Sequence, residues 1–520
     1  MPVKMSNPGL RWVLIALLGV TLACNRSVQP GKDSSWKSPG QGGGSLPPTA
    51  TPFSFLPPTR QPGAPILTPT PDAPHPVPSQ RAKAEQYVVQ SGDTLGNIAA
   101  SYGISVEQIM QANKMFNPDV LAVGQVLAIP VPTPEGVGPD FKIIPDSELV
   151  YGPVSAYFDL PGFIQSQGGY LAGYSEKIIN DEKKISGAEI VQVIAQDYSV
   201  NPRLLLAVLE HQSGWVSKAK PDKTALDFPI GRRDLQAASL YHQLAWAANN
   251  LNRGYYLWRV NGAASWVLAD GRVVPIAATL NAGTAGVQHF FSQLYNFKEW
   301  KQSVSAEGFF VTYNRLFGYP FDLAVEPLIP VGLRQPQLQL PFEKGVKWAF
   351  TGGPHAGWDS GSAWAGLDFA PGGDTLGCVQ SDEWVTAAGD GLVVRAGNGI
   401  VIQDLNDPTS LPSDGLEQTG WVMIYMHIES RGRVEVGTFV RAGERIGHPS
   451  CEGGISSGTH VHIARRYNGE WISADQNSPF VLDGWISIGT GVEYEGYLER
   501  DNQKVIADAS SSATDNSIKR

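Results

Sequence analysis

Between residues 25 and 84 the chain carries 14 of its 39 prolines, in runs such as LPPTATP and LTPTPDAPHPVP, along with GQGGGS. Such a stretch cannot fill a core, because it offers few apolar side chains and proline donates no backbone hydrogen bond. It reads as an extended Pro/Gly/Ser-rich linker that obliges the rest of the chain to fold as separate units. The total of 520 residues is likewise too long for one core and predicts roughly two to four domains.

Ahead of the linker, residues 1–24 read as an export signal. Lys4 and Arg11 form the positive end, WVLIALLGVTLA the apolar run, and Cys24 follows the small Ala23. That run is shorter than the roughly 20 residues of a spanning helix. An apolar segment closing on cysteine resembles a bacterial lipoprotein signal, which implies lipidation at Cys24 and a membrane anchor. A plain N-terminal membrane anchor, or cleavage elsewhere to give a secreted protein, are the alternatives. Each places the remainder outside the cytoplasm, associated with the cell wall. With Cys24 set aside, Cys378 and Cys451 remain as a pair in a compartment that permits disulfides. If they join, closing that loop stabilises the fold by roughly 4 kcal/mol. The net charge of -10 argues against a nucleic-acid partner.

Residues 85–132 form a compact unit. Tyr87-Val88-Val89 reads as a strand and Ser91-Gly92-Asp93-Thr94 as a turn; Leu95, Ile98 and Ala99 have helical spacing. A second helix uses Val106, Ile109 and Met110, and Val126–Ile129 closes as a strand. This βααβ order, with SGDTL, ISVEQIMQANK and LAVGQVLAIP, resembles a LysM module. The resemblance implies binding of N-acetylglucosamine polymers such as peptidoglycan. It puts the sugar groove between Gly92, Asp93, Thr94 and Leu95 and a loop holding Asn117, Pro118, Asp119 and Leu121.

Residues 142–335 carry helical signal: Ile190, Val193 and Ile194 on one face, Leu204, Leu205 and Val208 on another, with Pro202 near a helix start. The stretch LQAASLYHQLAWAANNLNRGYYLWR reads as a third helix. VNPRLLLAVLEHQSGW and LNAGTAGVQHFFSQL, with Asn281-Ala282-Gly283, resemble a lysozyme or lytic-transglycosylase domain, mostly α. That family's catalytic acid falls on Gln212, and an amide cannot protonate a glycosidic oxygen. Glu210 lies about 200° around the helix from it. The expectation is a degenerate domain, inactive as a glycosidase.

Residues 336–490 hold short alternating strands and glycine-marked turns, predicting a mostly antiparallel β domain. A polar tail, expected to be disordered, follows at 498–520. His460 and His462, two residues apart, project to one face of a strand. His427 in YMHI, and His355 and Asp368 in GGPHAGWDSGSAWAGLDFAP, complete a set suited to zinc, which takes three protein ligands and leaves one position open. The motifs GLDFAP, VTAAGDGLVV, YMHI, VRAGERIG and GTHVH resemble the lysostaphin-like zinc peptidases. Most of that family place the first zinc histidine four residues before the aspartate, where this chain has Trp364. GGPH upstream of Asp368, and CEGG at 451–454, resemble instead the beta-lytic branch, with its histidine displaced upstream. The resemblance implies His355, Asp368 and His462 as zinc ligands, and His427 and His460 as the acid/base and oxyanion-stabilising pair. Asp359, in a Gly/Ser-rich bend, reads as a turn residue. The histidines His211, His242, His289 and His448 read as structural or exposed.

The expected function is an extracytoplasmic, peptidoglycan-binding zinc metalloendopeptidase that hydrolyses stem-peptide or cross-bridge bonds of the wall. The competing expectation is an inactive wall-binding protein that positions or activates another peptidoglycan hydrolase.

Overall fold

The structure, a computed structural model, describes residues 69–77, 83–90, 93–132, 136–178, 184–373, 377–407, 413–512 and 515–520. The export-signal reading with Cys24, residues 25–68 of the linker, and Gly92 of the sugar-groove reading lie outside the described residues.

In the first unit, β1 (Glu85–Val88) and β2 (Val126–Ile129) pair antiparallel, and α1 (Leu95–Ser101) and α2 (Val106–Asn113) complete the βααβ order. The start of α2 is set by a capping box. The Ser105 hydroxyl accepts from the Gln108 amide, while the Gln108 side chain accepts from the Ser105 amide. Leu95, Ile98, Ile104, Ile109, Leu127 and Ile129 close a small core.

The linker is not free along its whole length. Residues 69–77 lie along the helical region: the Asp72 and His75 amides donate to the Thr279 and Ala278 carbonyls, and Lys142 pairs with Asp72 at 2.7 Å. Extended proline-rich backbone leaves its non-proline amides unpaired, so a neighbouring chain edge can take them up.

The helical region contains α3 (Leu160–Gln167), α4 (Gly187–Tyr198), α5 (Pro202–Ser213), α6 (Lys223–Asp227), α7 (Leu240–Arg259), α8 (Ala282–Ser292), α9 (Phe297–Ser303) and α10 (Phe309–Phe317). Two small hairpins, β3 (Ser175–Lys177) with β4 (Lys184–Ser186) and β5 (Ser265–Val267) with β6 (Val273–Pro275), interrupt it. Pro202 occupies the first turn of α5 behind the Asn201 cap, and Gly214 ends that helix at φ +68°.

The C-terminal region is an antiparallel sheet. Its strands are β7 (Lys347–His355), β8 (Gly366–Pro371), β10 (Gly391–Gly397), β11 (Ile400–Leu405), β12 (Trp421–Met426), β13 (Phe439–Val440), β15 (Val461–Tyr467), β16 (Glu470–Trp471) and β21 (Ser517–Lys519). They run in the order β13-β10-β11-β12-β15-β8-β7-β21, with β16 beside β15. The short β9 (Val385–Thr386) pairs with β14 (Arg445–Gly447); a second sheet orders β17 (Val481–Leu482), β18 (Trp485–Gly489), β19 (Gly496–Arg500) and β20 (Gln503–Ile506).

Two sequence expectations need correction here. The domain does not close at 490, because β18 pairs with β19 across that boundary. The described residues of 498–520 are no disordered tail either: Leu498, Val505 and Ile518 are buried, and β21 hydrogen-bonds to β7. Its few apolar residues alternate with polar ones, a half-buried strand pattern masked by the surrounding Asp, Ser and Asn.

Both faces of the main sheet are covered, which is why all six residues of β12 are buried. Trp421, Met423 and Tyr425 join one core with Phe350, Leu367 and Phe369. Val422, Ile424 and Met426, with Ile400, Ile402, Ala464 and Trp471, join the core of the helical region. Ion pairs cross this boundary from Arg395 to Asp197 and from Arg259 to Glu470 at 2.6 Å, and Glu417 braces the sheet side by pairing with Arg395 and, at 2.8 Å, with Arg466.

Candidate metal centre

Strand periodicity decides where the polar groups of the sheet emerge. On β15, Val461 and Ile463 enter the all-sheet core, so His462 and Ala464 face the helical side. The neighbour β8 places Asp368 directly opposite His462, while β12 places Met426 opposite it on the other flank. His355 ends β7, just past a break in the β7–β8 register between Gly352 and His355. The successive neighbours β8 and β7 thus deliver a carboxylate and an imidazole beside the His462 imidazole.

His355, Asp368 and His462 converge, and all three are buried. His355 Nε2 lies 2.9 Å from His462 Nδ1 and 3.3 Å from Asp368 Oδ1; His462 Nδ1 lies 3.0 Å from the same oxygen. A tetrahedral ion bound at about 2.0–2.1 Å keeps its ligand atoms about 3.3 Å apart. The donor set and its spacing therefore fit zinc with little adjustment.

The four histidines are oriented by backbone carbonyls, which accept but never donate. His355 Nδ1 meets the Gly353 carbonyl at 2.8 Å, and His462 Nε2 the Gly357 carbonyl at 3.2 Å. His427 Nδ1 meets the Glu452 carbonyl at 3.0 Å, and His460 Nδ1 the Gly458 carbonyl at 2.8 Å. Each of those nitrogens must carry the hydrogen in the neutral ring, leaving the other nitrogen with its lone pair. The free nitrogens of His355 and His462 are the two that converge on Asp368. Such outer contacts are what hold ligating rings in one tautomer.

His460 Nε2 stands 3.8 Å from Asp368 Oδ1, and the His427 and His460 rings are 4.4 Å apart. The His427 backbone has φ +63°, a conformation that side chains other than glycine seldom adopt. It is held by the Ser450 amide and hydroxyl, which both donate to the His427 carbonyl at 2.7 and 3.0 Å. Strained backbone of this kind persists where the surroundings over-determine it.

Charge follows the geometry. Burial alone would push the Asp368 carboxyl up, but His355 and His460 beside it, with the close ring contacts of His355 and His462, hold it well below its ordinary 3.8. Burial also opposes charging of His355, yet Asp368 raises it above 6.5. Burial, with His460 and His462 adding to it, pushes His427 down to about 3. The Asp368 carboxylate is thus ionised and His427 neutral at ordinary pH.

The disulfide Cys378–Cys451 joins the loop before His460 to the segment after β8. Asp359 sits in the hairpin tip, where its side chain accepts from the Ser360 amide and its carbonyl from the Ser362 amide. Trp364 contributes only its carbonyl, which accepts from the Ala474 amide at 2.8 Å. Sequence reasoning missed Tyr494, whose ring stacks on His355 at 4.2 Å and is half exposed. Burial, then Asp368 and Glu493, push its phenol up to about 12. No motif marks it, because it arrives on the loop between β18 and β19 from beyond the expected domain end.

The remaining candidates have local partners. In the first unit Asp93 accepts from the Tyr87 hydroxyl and the Gln90 amide, Thr94 from the Asn97 amide, and Asn117 from the Asp119 amide. Leu95 is core, and Leu121 packs against it. Phe116, which sequence reasoning passed over, is 99% exposed beside that loop. In the helical region the Glu210 carboxylate accepts from the Val216 and Ser217 amides, the Ser217 hydroxyl and Arg315. The Gln212 oxygen accepts from the Tyr295 hydroxyl. His211, His242, His289 and His448 hydrogen-bond to Thr312, Ser239, the Asn250 carbonyl and the Glu383 carbonyl.

Sheet, ligand cluster and preceding units together define a modular chain with a peptidase domain. Sequence-family models for the LysM domain, the LasA N-terminal domain and Peptidase family M23 match residues 87–130, 142–329 and 364–474. The helical region thus corresponds to the LasA N-terminal domain, and the chain is homologous to LasA and to M23 metallopeptidases. Protease LasA of Pseudomonas aeruginosa is 26% identical over 351 residues, covering 63% of this chain and 74% of that protein. The beta-lytic metalloendopeptidase of Achromobacter lyticus is 27% identical over 171 residues, 31% of this chain and 41% of its own. Among solved structures, the M23 metalloprotease pseudoalterin from the deep sea is 24% identical, covering 33% of this chain and 96% of that one, with a TM-score of 0.27.

Proposed function

We propose that this protein is a zinc metalloendopeptidase acting outside the cytoplasm on peptidoglycan, where it cuts stem-peptide or cross-bridge bonds. The observation that carries the reading is the ligand triangle of His355, Asp368 and His462, with two further histidines beside it. Zinc held there would supply a Lewis acid that lowers the pKa of water towards about 7 and polarises the scissile carbonyl.

The chain's own groups supply the proton handling. His427 is neutral, its Nδ1 hydrogen is committed to the Glu452 carbonyl, and Nε2 can accept a proton. His460 has the same arrangement through Gly458, so a proton taken up on its Nε2 would make it a donor to a developing oxyanion. The LysM domain would raise the local concentration of the peptidase domain on the wall, so that tight binding by the catalytic cleft is unnecessary. The Asp93, Thr94, Asn117 and Asp119 loops, with Phe116 exposed beside them, are the proposed glycan contacts. The helical region has no part in glycosidic chemistry in this reading, because Glu210 is fully engaged and Gln212 is an amide. A lipid anchor at Cys24 remains a proposal; among the described residues no helix is long and apolar enough to cross a membrane.

The test is to purify the full chain, measure bound zinc by atomic absorption, and follow release of peptides from purified peptidoglycan by mass spectrometry. His355→Ala and His462→Ala should each lose metal and cleavage. Unchanged zinc in the first would refute the displaced-ligand assignment. A wild-type chain that binds wall material but neither zinc nor peptide would be a wall-binding adaptor instead.

A further inference from the structure

We infer that Asn249, on α7 of the helical region, is a positioning residue for the metal centre. The inference rests on the zinc reading above and assigns the helical region a part in it. The hairpin between His355 and Asp368 projects past a break in the β7–β8 register between Gly352 and His355, with His355 paired to Gly366 at its base. Its tip is held from outside. The Asn249 side-chain oxygen accepts from the Gly361 amide at 2.7 Å, and its nitrogen donates to the Ser360 hydroxyl at 3.1 Å. Tyr198, at the end of α4, donates its hydroxyl to Asp359 at 3.2 Å. The approach is close enough that a Cβ on Gly361 would stand 2.0 Å from the Asn249 carbonyl oxygen.

From the tip the restraint runs down to a zinc ligand. The Ser362 amide donates to the Asp359 carbonyl, the Trp358 amide to the Ser362 hydroxyl, and the Gly357 amide to the Ala363 carbonyl. Gly357 is wedged beside Trp471, where a Cβ would come within 2.7 Å of the indole. Its carbonyl accepts from His462 Nε2, and that contact turns His462 Nδ1 towards Asp368 and His355. Asn249 thus helps to set the tautomer and the angle of a ring it never touches. A carbonyl in this position behaves as the outer partner of a metal ligand, whose loss weakens metal affinity by roughly 10–100-fold.

The experiment uses the full chain and three variants. Zinc affinity is read by competition with a chromophoric chelator, and ligand geometry by the visible bands of the cobalt-loaded protein. Asn249→Ala is expected to weaken zinc binding by about tenfold and to alter the cobalt bands. Asn249→Asp keeps an acceptor for the Gly361 amide and should restore both. Tyr198→Phe, which removes only the hydroxyl, should weaken zinc in the same direction and serves where Asn249→Ala does not fold. Wild-type affinity and bands in both Asn249→Ala and Tyr198→Phe overturn the inference, as does an Asn249→Asp protein no better than the alanine variant. A wild-type chain that takes up no zinc overturns the underlying reading and this inference together.

Discussion

Gly366 lies under His462, the proposed central zinc ligand: a Cβ there would stand 2.3 Å from its Cε1. That ring cannot step aside, since one nitrogen is tied to Gly357 and the other faces Asp368. Gly366→Ala is therefore expected to lose most bound zinc while keeping its fold, read as zinc per chain after dialysis beside an unchanged far-ultraviolet circular dichroism spectrum. His427→Ala separates metal from chemistry in the opposite sense. It removes none of the proposed ligands, so zinc should stay, while cleavage of peptidoglycan should fall by roughly 10²–10⁴-fold for loss of a positioned proton acceptor. The imidazoles and Asp368 were legible in the sequence because their types and spacing are themselves the chemistry. The carbonyls of Gly353, Gly357, Glu452 and Gly458 were not, because every residue has a carbonyl and only the fold selects which one points at a ring.

Strands with alternating apolar residues announced the sheet, and Pro202 announced a helix start. The last strand escaped for a physical reason: only Ile518 of Ser517–Lys519 is apolar, and its value comes from lying beside β7. Ile518→Ala is expected to cost about 2–4 kcal/mol, measured by chemical denaturation. A chain ended at residue 490 would lose β19, β20 and β21 and should not fold. The charged residues on the hidden face of the sheet were equally illegible, since nothing in VVRAG or ARR says that a helix will cover them. Arg395 is the hub there, pairing with Asp197 of α4 and with Glu417. Arg395→Met leaves the buried Asp197 carboxylate without that cation and should destabilise the protein by about 3–5 kcal/mol.

The continuity of one core from α4, α5, α7 and α8 into β11, β12 and β15 has a consequence for how the molecule unfolds. Val422, Ile424 and Met426 are buried along with the helix residues of that core, so neither partner has a finished surface without the other. The two regions should melt in one calorimetric transition, and residues 336–520 alone should aggregate. Replacing one acid-sensitive group in the helical region offers a way to unload that side only. Burial pushes His289, on α8 and far in sequence from the proposed metal ligands, down to about 4 from 6.5. A depressed imidazole means that the unfolded chain takes up a proton below about pH 6.5 that the fold refuses until about pH 4, so stability falls across that window. His289→Asn can still donate to the Asn250 carbonyl but cannot titrate. Relative to its own value at pH 7.5, its stability should gain on wild type by roughly 2 kcal/mol at pH 4.5. If helices and sheet are one cooperative unit, that gain moves the whole transition, including the signal of sheet tryptophans such as Trp421 and Trp348. A second transition that keeps its acid sensitivity while the first shifts would show that the sheet unfolds on its own.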